Sequence, residues 1–362
     1  MTTSPEQART TQTVTAPVTT GASTMRAIVQ DRYGRAEDVL RLAEIAKPTP
    51  GADEVLVRVR AASVDRGTWH IMAGLPYPIR LAGFGLRRPK YANPGRNLAG
   101  TVEAVGADVT GFAPGDEVYG MATGTFAEYA AARPAKLAPK PANLSFAQAA
   151  AVPVSGSTAL QAVRDHGRVQ AGEKVLIIGA SGGVGTFAVQ IAQAFGAEVT
   201  GVCSTSKMGT VQALGANHVL DYTVEDFADG RHRYDVILDT GGNAPLSRLR
   251  RALAPQGRLV IVGGETDGRL LGGSDRQIRA QLLSMFVGQQ LCTFVAKETA
   301  ADLVALTDLV AAGKVAPVID RAYSLEEVPA AIRRMQDGKV RGKLVVSLSP
   351  VTTKTPDPES TR

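Results

Sequence analysis

Two cysteines, Cys203 and Cys292, in 362 residues rule out a four-cysteine zinc lobe and suit a reducing compartment. The four histidines, His70, His166, His218 and His232, show no paired spacing of the kind a metal site needs. No apolar stretch approaches the ~20 residues that span a bilayer. Aromatic residues make up only 5% of the chain and no nucleic-acid motif occurs, so the net charge of +6 reads as a solvated surface favouring anionic ligands. Polynucleotide binding is the minor expectation. Met1–Thr24 carries one Arg and lacks the apolar core of a secretory signal; a disordered leader is expected there, and a second polar tail over 350–362. There is no internal repeat and no coiled-coil heptad. A cytoplasmic protein is the resulting expectation.

What is present is a dense glycine turn. Lys174 to Gly185 reads Lys-Val-Leu-Ile-Ile-Gly-Ala-Ser-Gly-Gly-Val-Gly, an apolar run that breaks into glycines. A buried parallel strand has this form when it must turn under a phosphate-bearing ligand and enter a helix. Gly182, Gly183 and Gly185 remove Cβ atoms where backbone approaches a pyrophosphate and where the helix packs on the sheet. The amphipathic stretch Val184, Phe187, Ala188, Ile191, Ala192, Phe195 supplies the expected helix.

Three zones surround this turn. From Met25 to about Ala151 the chain is strand-like and turn-rich, with candidate strands at Met25–Gln30, Glu54–Ala62, Gly100–Val105, Asp116–Tyr119 and Thr125–Ala130. From about Val152 to Pro317, strands alternate with helices, and the strands are expected at Val175–Gly179, Glu198–Cys203, His218–Tyr222, Tyr234–Asp239, Arg258–Gly263 and Leu291–Val295. Six such strands with right-handed crossovers make a doubly wound parallel sheet that binds its ligand at the carboxyl ends. The last stretch predicts a strand at Val318–Ser324, a helix near Glu326–Met335 and a strand at Lys343–Leu348 that rejoins the first domain. The fold class is therefore α/β, with a first domain over 25–151 plus 318–349 and a second over 152–317.

The order of short motifs resembles the medium-chain dehydrogenase/reductases, in the zinc-free quinone oxidoreductase (zeta-crystallin-like) branch. The carrying residues are Ala61-Ala62-Ser63-Val64-Asp65, Pro94-Gly95-Arg96-Asn97-Leu98-Ala99-Gly100, Gly115-Asp116-Glu117-Val118, Gly182-Gly183-Val184-Gly185, Leu214-Gly215-Ala216 and Gly342-Lys343. The resemblance implies a mainly β GroES-like domain, a Rossmann domain, a cleft between them and commonly a homodimer. It also places Ser181, Gly182, Gly183 and Val184 at the cofactor, with Thr158 beside it and Gly263 facing the nicotinamide. Zinc-dependent relatives hold a metal with a Cys, a Gly-His-Glu and a further ligand; those positions fall here on Asp65, Arg96, Asn97 and near Val154. Arg and Val cannot bind zinc, so no zinc is expected.

Without a Lewis acid, substrates whose conjugation spreads the developing charge, such as quinones and enones, fit best, because donors alone must polarise the acceptor. The second strand ends Val202-Cys203-Ser204-Thr205-Ser206-Lys207, without the acid that an NAD site usually carries there. The resemblance puts Ser204 and Lys207 at the phosphate of NADPH and Tyr222 near the adenosine end; a helix cap and a solvated lysine are the plain alternatives. NADPH is the expected cofactor.

In Ser63 to His70, Asp65 and Thr68 both depart from the residues common in the branch. Asp65, as a substrate-orienting group or a turn cap, and His70, as a proton donor or a surface histidine, are the catalytic candidates. The stretch from Leu75 to Tyr91 reads equally as a mobile lid or as an insertion packed on the barrel. The expected activity is NADPH-dependent reduction of a quinone, enone or other activated carbonyl. The alternatives are a zinc-free alcohol dehydrogenase/aldehyde reductase and a low-turnover NADPH-binding sensor.

Overall fold

The computed structural model describes residues 23–263 and 272–348. The expected leader up to residue 22 and the tail over 350–362 lie outside the described residues. Fifteen strands appear among those described. Strands β1 (Thr24–Val29) and β2 (Arg41–Ala46) form an antiparallel pair. Strands β3 (Val55–Val64), β4 (Asn97–Val105), β5 (Glu117–Met121), β6 (Tyr129–Ala132) and β7 (Leu137–Pro139) build a largely antiparallel sheet. They are completed by β14 (Ile319–Tyr323) and β15 (Lys343–Ser347), in the order β14-β15-β3-β4-β5-β7, with β6 paired to β3. The terminal strand thus returns to the first sheet, pairing Leu344 with Val64 and Ser347 with Ala61.

The second sheet contains β8 (Lys174–Ile178), β9 (Glu198–Cys203), β10 (His218–Asp221), β11 (Tyr234–Asp239), β12 (Leu253–Ile261) and β13 (Gln290–Thr293). All are parallel, in the order β10-β9-β8-β11-β12-β13. Chain order reverses between β8 and β11, and ligands of such sheets lie at that switch, outside the carboxyl ends. Val175, Leu176 and Ile177 are fully buried on both faces, as a central parallel strand requires. Helix 183–194 covers one face with Phe187, Ala188, Val189, Ile191 and Ala192, all fully buried.

Among the strands expected from sequence, two differ most in where they start. The strand expected at Thr125–Ala130 begins only at Tyr129, because Thr125 and Phe126 spend their backbone groups elsewhere. Phe126 carbonyl accepts from Ile28 N–H at 2.8 Å and from Asn93 Nδ2 at 2.9 Å, while Thr125 N–H donates to Gly95 carbonyl at 3.3 Å. This segment stitches the β1 hairpin to the larger sheet. Strand β12 starts at Leu253, five residues earlier than expected, because Leu253 already pairs with Tyr234 before a register shift.

Candidate functional site

The glycine turn follows β8 at the switch point. Gly182 is the N-cap of helix 183–194 and no side chain caps that end, so its first N–H groups are left for a ligand. A Cβ on Gly185 would run into the Gly179 carbonyl, which fixes glycine there for close helix–strand approach. Ser181 is buried, and its carbonyl accepts from Gly342 N–H at 2.9 Å. The chain just before β15 therefore lies along the turn.

Lys343 follows directly and is a residue to which sequence reasoning gave no role. Its Nζ donates to Val64 carbonyl and to Ser155 Oγ, each at 3.0 Å, inside a fully buried environment. Its stem passes 3.2 Å from where a Cβ on Gly183 would sit. Burial pushes this amine below the usual lysine range, and the Asp65 carboxylate works against that. One side chain thus ties together the end of β3, helix 153–161 and the glycine turn. The only sequence signal was a lysine inside an apolar strand, which is rarely buried without partners.

Asp65 caps helix 66–73: its Oδ1 accepts from Thr68 N–H at 2.9 Å, and its Oδ2 from Asn97 Nδ2 at 2.6 Å. Asn97 in turn accepts from Val154 N–H at 2.9 Å. The chain of contacts Thr68–Asp65–Asn97–Val154 crosses from the first sheet to helix 153–161. Arg96 pairs with Glu298, which also receives Lys136 Nζ at 2.6 Å. Glu298 titrates lower than an ordinary glutamate: burial raises it, and Arg96 and Lys136 together overcome that. Asp65, Arg96, Asn97 and Val154 are therefore engaged with protein partners, and the donor set does not fit zinc. Among the described residues no group of three His, Cys, Asp or Glu side chains could hold a metal ion.

His70 Nδ1 lies 2.6 Å from Leu75 carbonyl. A carbonyl only accepts, so Nδ1 carries the proton and the basic nitrogen is Nε2. Burial lowers the ring's pKa, and the bond to Leu75 partly opposes this. The ring meets Trp69 edge-on, with centroids 4.9 Å apart. The stretch that follows is packed down: Tyr33 hydroxyl donates to Phe84 carbonyl at 2.8 Å, and Arg80 donates to Gly74 carbonyl at 2.8 Å while lying over the Tyr33 ring. Pro76 rests against Gly272, so this loop touches the second-sheet side as well. Leu81 and Leu86 remain exposed on it.

The carboxyl ends of β9 and β10 carry the residues expected at the adenosine end. Ser204 and Lys207 sit in the first turn after β9, with Lys207 N–H donating to Ser204 carbonyl at 2.9 Å. Lys207 Nζ donates to the Gly338 and Val340 carbonyls, both at 2.9 Å. Tyr222 is exposed beyond β10. One acid lies close by that the motif reading overlooked: Asp221, whose oxygens are taken by Thr205 Oγ1 and by Thr223 N–H and Oγ1. These bonds hold its carboxyl below the usual range, and they leave it occupied. Thr158 Oγ1 donates back to Val154 carbonyl at 2.6 Å.

At the opposite end, Gly263 carbonyl accepts from Arg276 Nη2 at 3.1 Å. Arg276 also pairs at 2.6 Å with Asp239, which is fully buried at the end of β11. Neither Asp239 nor Arg276 was singled out from sequence.

Residues 51–142 match the model of the alcohol dehydrogenase GroES-like domain, and residues 214–346 match that of the zinc-binding dehydrogenases. The mitochondrial NAD(P)H oxidoreductase RTN4IP1 of Mus musculus is 33% identical over 361 residues, covering 90% of each chain. The chain belongs to the medium-chain dehydrogenase/reductase superfamily, in its quinone oxidoreductase branch. It is an oxidoreductase of that superfamily, with a GroES-like domain and a Rossmann-like parallel sheet. Two further members are similar. The 2-methylene-furan-3-one reductase of Solanum lycopersicum is 31% identical, covering 90% of this chain and 79% of its own. The solved structure of the quinone oxidoreductase from Coxiella burnetii is 29% identical with a TM-score of 0.77, covering 90% of this chain and all of that one. Among the described residues no helix of this family member is long and apolar enough to cross a membrane.

Proposed function

We propose that the chain is an NADPH-dependent reductase of quinones, enones or other activated carbonyls that works without a metal. The observation that carries this reading is the commitment of the cleft side chains: Asp65 to Thr68 and Asn97, and Arg96 to Glu298. A Lewis acid has no ligand set there, so the acceptor must carry its own electron-poor conjugation. A bound nicotinamide would supply the hydride. Ser181 to Val184 and the N-terminus of helix 183–194 would hold the pyrophosphate, with Thr158 alongside and Gly263 at the nicotinamide end. Ser204, Lys207 and Tyr222 would flank the adenosine ribose, and the one carboxylate close by, Asp221, is bonded to Thr205 and Thr223.

Asp65 in this reading orients the turn from residue 63 to residue 75 rather than exchanging protons. His70 sets the entrance of the loop through Leu75, and any proton that it delivers must first be taken up at Nε2. In the same reading, 25–151 with 318–349 forms the substrate-side domain and 152–317 the cofactor domain. The two cysteines are free and suit a reducing compartment such as the cytoplasm. The apolar side chains Ile278, Leu282, Met285 and Phe286 are exposed beside the edge strand β13 and support a homodimer.

The test is NADPH oxidation against a panel of quinones, enones and simple aldehydes, before and after treatment with a strong zinc chelator. Saturable turnover of the conjugated acceptors, unaltered by the chelator, is expected. Loss of turnover on chelation, recovered with zinc, would overturn the metal-free reading. Turnover confined to simple aldehydes would replace the acceptor class, and coenzyme binding with no turnover would leave a sensor.

A further inference from the structure

The segment from Gly338 to Lys343 runs between the two places where the cofactor's phosphates would sit. Val340 carbonyl is held by Lys207 Nζ at 2.9 Å, and Gly342 N–H is held by Ser181 carbonyl at 2.9 Å. Residue 341 is therefore flanked on one side by a neighbour held by the Lys207 side chain, four residues past the end of β9, and on the other by a neighbour held at the glycine turn. The occupant of that position is Arg341, exposed, with no ion pair or hydrogen bond among the described residues.

Lys207 is in a different situation. Two of its three ammonium hydrogens go to the Gly338 and Val340 carbonyls, so it can offer one N–H at most to a ligand. Burial lowers its pKa, and the charge of Arg341 pushes the same way, which places the two cations within mutual range. Of the other charged groups near this end of the sheet, Arg334 is paired with Asp320 at 2.9 Å, and the Asp221 carboxylate accepts from Thr205 and Thr223. What remains facing solvent at this edge is one unpaired guanidinium. Its planar fork matches two phosphate oxygens at once, which a partly committed ammonium cannot do.

Resting on the NADPH reading above, we propose that Arg341 is the specificity-determining residue for the additional ribose phosphate. Lys207 acts chiefly as the scaffold that fixes the Arg341 segment against the end of β9. The pyrophosphate common to both coenzymes remains the task of the helix N-terminus, so the contribution of Arg341 is selective for the phosphorylated coenzyme.

The experiment is direct titration of the purified full chain with NADPH and with NADH, for the wild type, Arg341→Ala, Arg341→Lys and Lys207→Met, each checked by its melting temperature. Arg341→Ala is expected to weaken NADPH by about 10- to 100-fold, the range for one charge-assisted contact, and NADH by far less. Arg341→Lys should recover part of the loss. Lys207→Met should weaken both coenzymes together and lower the melting temperature, because the turn over 338–340 loses its anchor. Equal losses for NADPH and NADH in Arg341→Ala, or no loss, would overturn the assignment. So would a Lys207→Met variant that alone abolished the preference. Wild-type protein that binds NADH as tightly as NADPH would instead remove the coenzyme reading itself, and the assignment with it.

Discussion

Asp239 and Arg276 show how a single pair can govern one end of the site. Burial pushes the Asp239 carboxyl upward, and Arg276 pulls it back as the largest opposing influence. The same guanidinium holds the Ala244 and Gly263 carbonyls at 2.7 and 3.1 Å, so it links the loop after β11 to the end of β12. Removing one member of a buried pair strands the other, at a cost of about 3–5 kcal/mol. Arg276→Met is therefore expected to lower the unfolding free energy in urea by roughly that much, and Arg276→Lys by less. A loss below about 1 kcal/mol would show that Asp239 finds other compensation. Sequence reading noted Asp239 only as the end of a strand. Its partner lies 37 residues on, and nothing in the local pattern connects them.

At the scale of an element, the turn and helix from residue 63 to residue 75 combine a cap legible in sequence with a contact that is not. Asp65 followed by Thr68 has the spacing of an N-cap, and the structure forms it. The bond from His70 to Leu75 depends on how the chain leaves the helix through Gly74, which adopts a left-handed conformation with φ of 61°. His70 titrates lower in the fold than in the unfolded chain. The unfolded chain thus binds more protons between those two values, and stability rises with pH across that window. Stability is present above the unfolded value of about 6.5 and is lost as pH falls below it. His166, stacked on Phe294 and also lowered by burial, adds to the same slope. Midpoints of urea unfolding between pH 7.5 and 5.5 should fall with acidification, and His70→Gln should flatten part of that fall. A variant slope identical to that of the wild type would remove His70 from the account.

Across the whole molecule, the two sheets are joined by buried polar contacts as well as apolar packing. Tyr119 on β5 donates its hydroxyl to Leu303 carbonyl at 2.6 Å and meets Thr307 Oγ1 at 2.9 Å, both on helix 300–311. Asn143 donates to Val310 carbonyl on the same helix at 3.1 Å. Burial raises the Tyr119 phenol to about 12. The neutral phenol is the form the fold keeps, so its contribution is complete below the unfolded value of about 10 and is lost as pH rises from there toward 12. Tyr119→Phe should cost about 1 kcal/mol at neutral pH and should also lessen the alkaline decline, both read from urea midpoints. If the variant declines above pH 10 as steeply as the wild type, other groups control that limb.

The sequence by itself determined the α/β class, the glycine turn at the switch point and most strand positions, because hydrophobic period and glycine placement act over short spans of chain. The resemblance to the quinone oxidoreductase branch also put forward Asp65, Ser204 and Lys207 as site candidates. Only the tertiary structure decided what those side chains hold. Lys343 bonds to two elements that each lie more than a hundred residues away from it, Glu298 gathers Arg96 and Lys136, and Lys207 spends two hydrogens on distant carbonyls. The partners of a buried or half-buried charge are chosen by which strands meet at a sheet edge. That choice depends on crossover connections whose contacts carry no local signature in the residues that make them.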